Sequence, residues 1–96
     1  MKFTIEEIKD RLKRLEGWAY DEQGDRIWRE FKFKNFREAM AFVLKVAFES
    51  EKVDHHPDIL IEYNRVKIYL RTHSLNGVTE KDFNLAEKIE GIFGAG

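Results

Sequence analysis

Two rhythms of apolar and polar positions divide the chain into helices and strands. Residues 4–15 carry Ile5, Ile8, Leu12 and Leu15 at helical spacing, with Lys9, Arg11, Lys13 and Arg14 outside that stripe. Thr4 is placed to cap this helix, Glu7 completes a capping box, and Phe3 with Ile8 forms a hydrophobic staple; Gly17 stops it. A second helix is predicted over 36–52, with Asn35 as cap and Glu38 at its third position. From Ala39 to Phe48 its only polar residue is Lys45. A helix apolar most of the way round is buried on more than one side. The stripe Phe36-Met40-Val43-Ala47 is expected to face the sheet. Phe42 and Val46 are then candidates for a subunit contact, the alternative being one wide core face. A last helix begins at Thr79, with Asp82 at the third position and Val78 and Phe83 as staple. Phe83, Leu85, Ala86, Ile89 and Phe93 make its buried stripe, and Gly94–Gly96 is a tail.

Between the helices the period falls to two. Trp18 to Tyr20 and Ile27 to Phe33 read as a hairpin around a turn at residues 21–25, with Ile27, Arg29, Phe31 and Phe33 on one face. A second hairpin alternates Ile59, Ile61 and Tyr63 against Leu60 and Glu62, then Val66, Ile68 and Leu70 against Lys67, Tyr69 and Arg71. Asn64-Arg65 is the predicted two-residue turn. The order helix, hairpin, helix, hairpin, helix (α-β-β-α-β-β-α) implies an α+β fold: a four-stranded antiparallel sheet with three helices on one face. The 96 residues form a single domain, and a core this small gains from oligomerisation.

Charge and composition narrow the function. A net charge of −1 with both signs mixed argues against direct nucleic-acid binding. The absence of cysteine excludes disulfides, thiolate nucleophiles and cysteine-ligated zinc. No apolar run approaches a membrane span and Met1–Thr4 lacks a signal core, so a cytoplasmic protein with no membrane partner is expected.

The candidate chemistry is concentrated in 51–57 and 71–74. All three histidines and the only proline lie between Glu51 and His73. Pro57 holds His56 in an extended conformation, and adjacent His55 and His56 point to opposite sides of such a segment. Asp54 is placed to orient an imidazole or receive a proton. Tyr63 could line a pocket, though a strand tyrosine is more often packing. Asp82 is accounted for by helix capping alone. No histidine pair has the i, i+4 spacing of a tight metal site, so no metal is expected. Imidazoles titrate near neutral pH, and proton transfer is the better account.

Glu51-(three residues)-His55-His56-Pro57-(five)-Tyr63-(nine)-His73-(eight)-Asp82 resembles the signature of the pterin-4a-carbinolamine dehydratases, also called 4a-hydroxytetrahydrobiopterin dehydratases. The likeness extends outward through Phe31-Lys-Phe33, Asp54, Thr72 and Gly77-Val-Thr79. It implies a lyase that removes water from a 4a-hydroxytetrahydropterin, left by aromatic amino acid hydroxylases, to give the quinonoid dihydropterin. It implies no metal or organic cofactor. Carried over residue by residue, it makes His55, His56 and His73 the active site, with Glu51 close by. Substrate contacts then fall on Asp54, His55, His56 and Pro57, and on Arg71, Thr72, His73 and Ser74. His55 and His56 are expected to be the acid/base pair and His73 to position the substrate. Arg71 stands where the family often has a small hydroxyl residue, and Ile59 where it often has an aromatic one. The resemblance also implies two other roles: a dimer-stabilising coactivator acting through the main helix, and a pterin-binding accessory in molybdenum-cofactor metabolism. A homodimer or homotetramer through helix 36–52 is expected.

Overall fold

β2 (Arg26–Lys32) and β4 (Arg65–Leu70) form the centre of one antiparallel sheet in the order β1-β2-β4-β3, flanked by β1 (Ala19–Asp21) and β3 (Asp58–Glu62). The computed structural model describes residues 1–96. Three helices complete the fold: α1 (Ile5–Leu12), α2 (Phe36–Val53) and α3 (Glu80–Gly94). The predicted α+β architecture and element order are observed. Ile27 and Phe31 of β2 and Val66, Ile68 and Leu70 of β4 are buried beneath the helices, while Trp28, Lys67 and Tyr69 alternate onto the opposite face. On that face Trp28 and Tyr69 stack with centroids 5.9 Å apart. No helix is long and apolar enough to cross a membrane.

The predicted caps of α1 and α3 form: the Thr4 and Thr79 capping boxes are both present. α1 is shorter than its pattern. Beyond Leu12 the chain turns, and Leu15 reaches the core through that turn. Arg29 lies on the core-facing side of β2, which an unpaired cation could not occupy cheaply. It is matched by Glu90 of α3, whose carboxylate also accepts from Trp18 Nε1 at 2.7 Å. The guanidinium lies over Phe31 and Phe93, 4.5 and 5.1 Å from their ring centres.

Two expectations are corrected. α2 is rotated from the face its sequence suggested: Ala39, Phe42, Val46 and Ser50 are buried, whereas Phe36, Ala41, Leu44, Ala47 and Phe48 are exposed. Phe42 and Val46 therefore belong to the core and are not a subunit contact. Phe42 packs against Phe31, Phe33 and Phe93 with centroids 4.8, 5.0 and 6.0 Å away. An all-round apolar helix has two stripes of equal spacing, and the buried one here includes the polar Ser50. Its hydroxyl donates to the Val46 carbonyl at 2.8 Å, so its burial leaves no polar group unmet. The second correction is the hairpin turn, which is Tyr63-Asn64 because Glu62 pairs with Arg65. Tyr63 takes the left-handed conformation (φ 54°) and is exposed. Asn64 instead ties the turn to the end of β2, with its amide donating to the Phe33 carbonyl at 2.9 Å and its carbonyl accepting from the Phe33 N–H at 2.8 Å.

Phe42→Ala is expected to cost about 3–5 kcal/mol of stability in urea unfolding, the range for deleting a buried phenylalanine. A loss below about 1 kcal/mol would return Phe42 to the surface.

Candidate functional site

The two histidine-bearing segments meet at one buried carboxylate. Asp82 is fully buried, and its two oxygens accept three hydrogen bonds. His55 Nε2 lies 2.6 Å from Oδ1; the Thr72 hydroxyl donates to Oδ2 at 2.9 Å and the Thr79 N–H to Oδ2 at 2.8 Å. An ionised carboxylate only accepts, so His55 carries its proton on Nε2 and leaves Nδ1 without one when neutral. Thr72 gives its single hydrogen to Asp82, so the 2.7 Å contact between the two threonine hydroxyls must be donated by Thr79. A chain of oriented hydroxyls thus feeds the carboxylate.

Local structure brings these groups together. The last turn of α2 closes with Asp54 N–H on the Glu51 carbonyl (3.2 Å) and His55 N–H on the Ser50 carbonyl (3.1 Å). This closure needs a left-handed residue, and Asp54 supplies it at φ 51°. The chain therefore reverses at Asp54 and delivers His55 inward. His56 faces the other way, as its adjacency requires: it is exposed, with Nε2 2.7 Å from Glu51 Oε1. Asp54 makes no side-chain hydrogen bond to either imidazole. Pro57 leads directly into β3, where Asp58 pairs with Tyr69. That register puts the start of β3 beside the end of β4.

Beyond β4, Thr72 and Gly77 exchange backbone hydrogen bonds of 2.8 and 3.3 Å and close a loop around a 3-10 turn, His73–Leu75. His73 and Ser74 sit exposed on this loop, and no hydrogen bond occupies the His73 ring. Arg71 is engaged within the protein: Nε donates to the Asp25 carbonyl (3.3 Å) and a terminal nitrogen to Asn76 Oδ1 (2.9 Å). The Asp25 carboxylate accepts from the Tyr20 hydroxyl at 2.6 Å. Burial and then Asp25 push the Tyr20 pKa up to about 12, so it stays a donor at any ordinary pH. Arg26 and the Gly24 N–H hold Asp21 below the usual carboxylate range.

Glu51, His55, His56, Thr72 and, through the loop that Thr72 anchors, His73 thus occupy one end of the sheet. Tyr63 lies apart from them, in the turn at the far end of β3 and β4. Asp82 does more than cap α3: it holds His55. Its spacing from Thr79 signals a capping box, and that local explanation hides the long-range one. The two imidazoles answer to separate carboxylates, and no group of three metal-ligating side chains converges.

Residues 1–92 match the family described as "Pterin 4 alpha carbinolamine dehydratase". A "Putative pterin-4-alpha-carbinolamine dehydratase" of Sulfolobus acidocaldarius is 50% identical over 92 residues, covering 96% of this chain and 99% of the relative. The crystal structure of a transcriptional coactivator/pterin dehydratase from Brucella melitensis superposes with a TM-score of 0.91 at 42% identity, covering 96% of this chain and 98% of that one. A pterin dehydratase-like protein described as a RuBisCO assembly factor of the alpha-carboxysome shares the fold, with a TM-score of 0.68 at 22% identity over 79% of this chain and 88% of its own.

Asp82→Ala would strip three donors, two of them buried, of their acceptor and is expected to cost about 2–4 kcal/mol. In ring nitrogen NMR near pH 8, His55 should show the Nε2–H tautomer in the parent chain and a tautomer mixture in the variant. An unchanged tautomer and an unchanged unfolding midpoint would remove Asp82 from this role.

Proposed function

The chain belongs to the pterin 4 alpha carbinolamine dehydratase family, and on that premise we propose that it is a hydro-lyase acting on a 4a-hydroxytetrahydropterin. The observation that carries the reading is the Asp82 hub, which brings His55 and the loop bearing His73 to one place. The reaction breaks the bond from carbon 4a to its hydroxyl and removes the hydrogen of N5. The electron pair of that N–H bond becomes the second bond between N5 and carbon 4a. Water leaves, the product is the quinonoid dihydropterin, and nothing is oxidised or reduced overall.

One acid must protonate the departing hydroxyl and one base must take the N5 proton, and imidazole serves both ends near neutral pH. His55 and His56 are the proposed pair. Asp82 occupies His55 Nε2, so His55 transfers protons through Nδ1, held in position by the buried carboxylate. His56 sits in solvent with its Nε2 against Glu51, where it can exchange protons with water. His73, without a hydrogen-bond partner, positions the substrate. Asp54, Pro57 and Ser74 border the site, while Thr72 acts on His55 through Asp82. Arg71, tied to Asp25 and Asn76, shapes the loop rather than gripping the ring.

A second reading, as a protein-interaction module, is favoured by one feature. Phe36, Leu44 and Phe48 are 51%, 54% and 67% exposed along one face of α2, with Met40 half-buried between them. A ridge of this kind marks an interaction surface. We assign it to a homodimer or homotetramer of this chain, which moves the subunit contact from Phe42 and Val46 to the opposite side of the same helix.

Two measurements test these readings. Dehydration of a 4a-hydroxytetrahydropterin should be accelerated by the parent chain and slowed about 10²–10⁴-fold by His56→Ala, which should fold normally because the side chain is exposed; no acceleration by the parent chain over the spontaneous rate would sink the enzyme reading. Leu44→Glu should lower the mass in light scattering without unfolding the chain, and an unchanged mass would exclude the α2 ridge as the contact.

A further inference from the structure

His55 also lines a cleft of about 510 Å³ between the end of α2 and the outer face of α3. This is within the size range of small-molecule sites. His56 and His73 do not line it. Val53 and Leu85 supply apolar wall; Lys81, Asn84 and Lys88 supply the polar groups. Those three are spaced i, i+3 and i+7, so they stand on one face of the helix. Neither lysine has an ion-pair partner in the structure, whereas Arg11, Arg26 and Lys52 are each paired to a carboxylate within the chain. Glu87 is the one carboxylate in the lining, and it also borders the neighbouring depression that holds Arg11 and Arg14. Lys81 lies in the first turn of α3, where the helix dipole adds to its positive potential.

We propose that this cleft is an anion subsite that takes the phosphate of a small molecule whose other end lies against His55. Two ammonium groups with an amide between them suit the several oxygens of a phosphate better than a single carboxylate. Where the chain acts as a dehydratase, the pterin it prefers then ends its side chain in phosphate; this second statement rests on the proposed reaction, whereas the anion subsite does not. The apolar cleft lined by Phe33, Phe42, Ile92 and Phe93 lies toward the other end of α2 and offers no comparable set of cations.

The test is an amide NMR titration of the chain with inorganic pyrophosphate, repeated on the double variant Lys81→Ala, Lys88→Ala. Both lysines are exposed, so the variant should keep its melting temperature. Saturable shifts centred on residues 53–55 and 81–88 are expected, with affinity lowered about tenfold or more in the variant. No saturation by about 20 mM, or equal affinity in the variant, would overturn the subsite. A second arm compares a reduced pterin bearing a terminal phosphate with the same pterin bearing a free hydroxyl. Tighter binding of the phosphate form by the parent chain alone supports assignment to the substrate, and equal binding of the two forms overturns it. Failure of the dehydratase reading would show separately, as absence of turnover with intact anion binding.

Discussion

The end of the sheet where the histidine segments meet depends on satisfying one buried carboxylate. Asp82 has no contact with water, and an isolated carboxylate in that position would be too costly to keep ionised. Three donors make it tenable, and they come from three parts of the chain: the reversal after α2, the loop after β4 and the cap of α3. No buried side-chain nitrogen or oxygen is left without a partner. The same arrangement that satisfies the charge therefore sets the orientation of an imidazole, and stability and site geometry rest on the same hydrogen bonds.

The helices, the hairpins and their order could be read from the sequence because each is announced locally. Thr4 and Thr79 cap, and period-two alternation sorts β2 and β4 into a buried and an open face, although α1 ends at Leu12, well before the predicted stop at Gly17. The reading failed where local signals were degenerate. In α2 two stripes of equal periodicity compete, and the choice between them is made by Phe33 and Phe93, which lie elsewhere in the chain and complete the aromatic cluster around Phe42. In the second hairpin, Asn64 is the better residue for positive φ, yet Tyr63 takes it. The asparagine is needed at its own position to bond Phe33, 31 residues away.

The site shows the same division. His55, His56, His73 and Glu51 stand out in the sequence by type and clustering. The partition between them does not: one imidazole held half-buried on Asp82, one exposed on Glu51, one free. That partition comes from the left-handed turn at Asp54, which sends neighbouring histidines into different surroundings. Asp54 reads in the sequence as a candidate partner for an imidazole, and what it contributes to the fold is the reversal itself. Arg71 likewise reads as a group available to a ligand, and the tie to Asp25 and Asn76 engages it within the protein.

The span between His55 and Asp82, 27 residues, has a consequence for the order of events in synthesis. Both hairpins and α2 precede Asp82 in the chain, so they can pair and collapse while it is still absent. Until α3 is made and docks, His55 lacks its carboxylate and Thr72 its acceptor. Any partly folded species without α3 is therefore expected to lack the oriented imidazole, however native its sheet. A fixed His55 tautomer in a nascent or refolding population would report the arrival of the last helix, not the formation of the sheet.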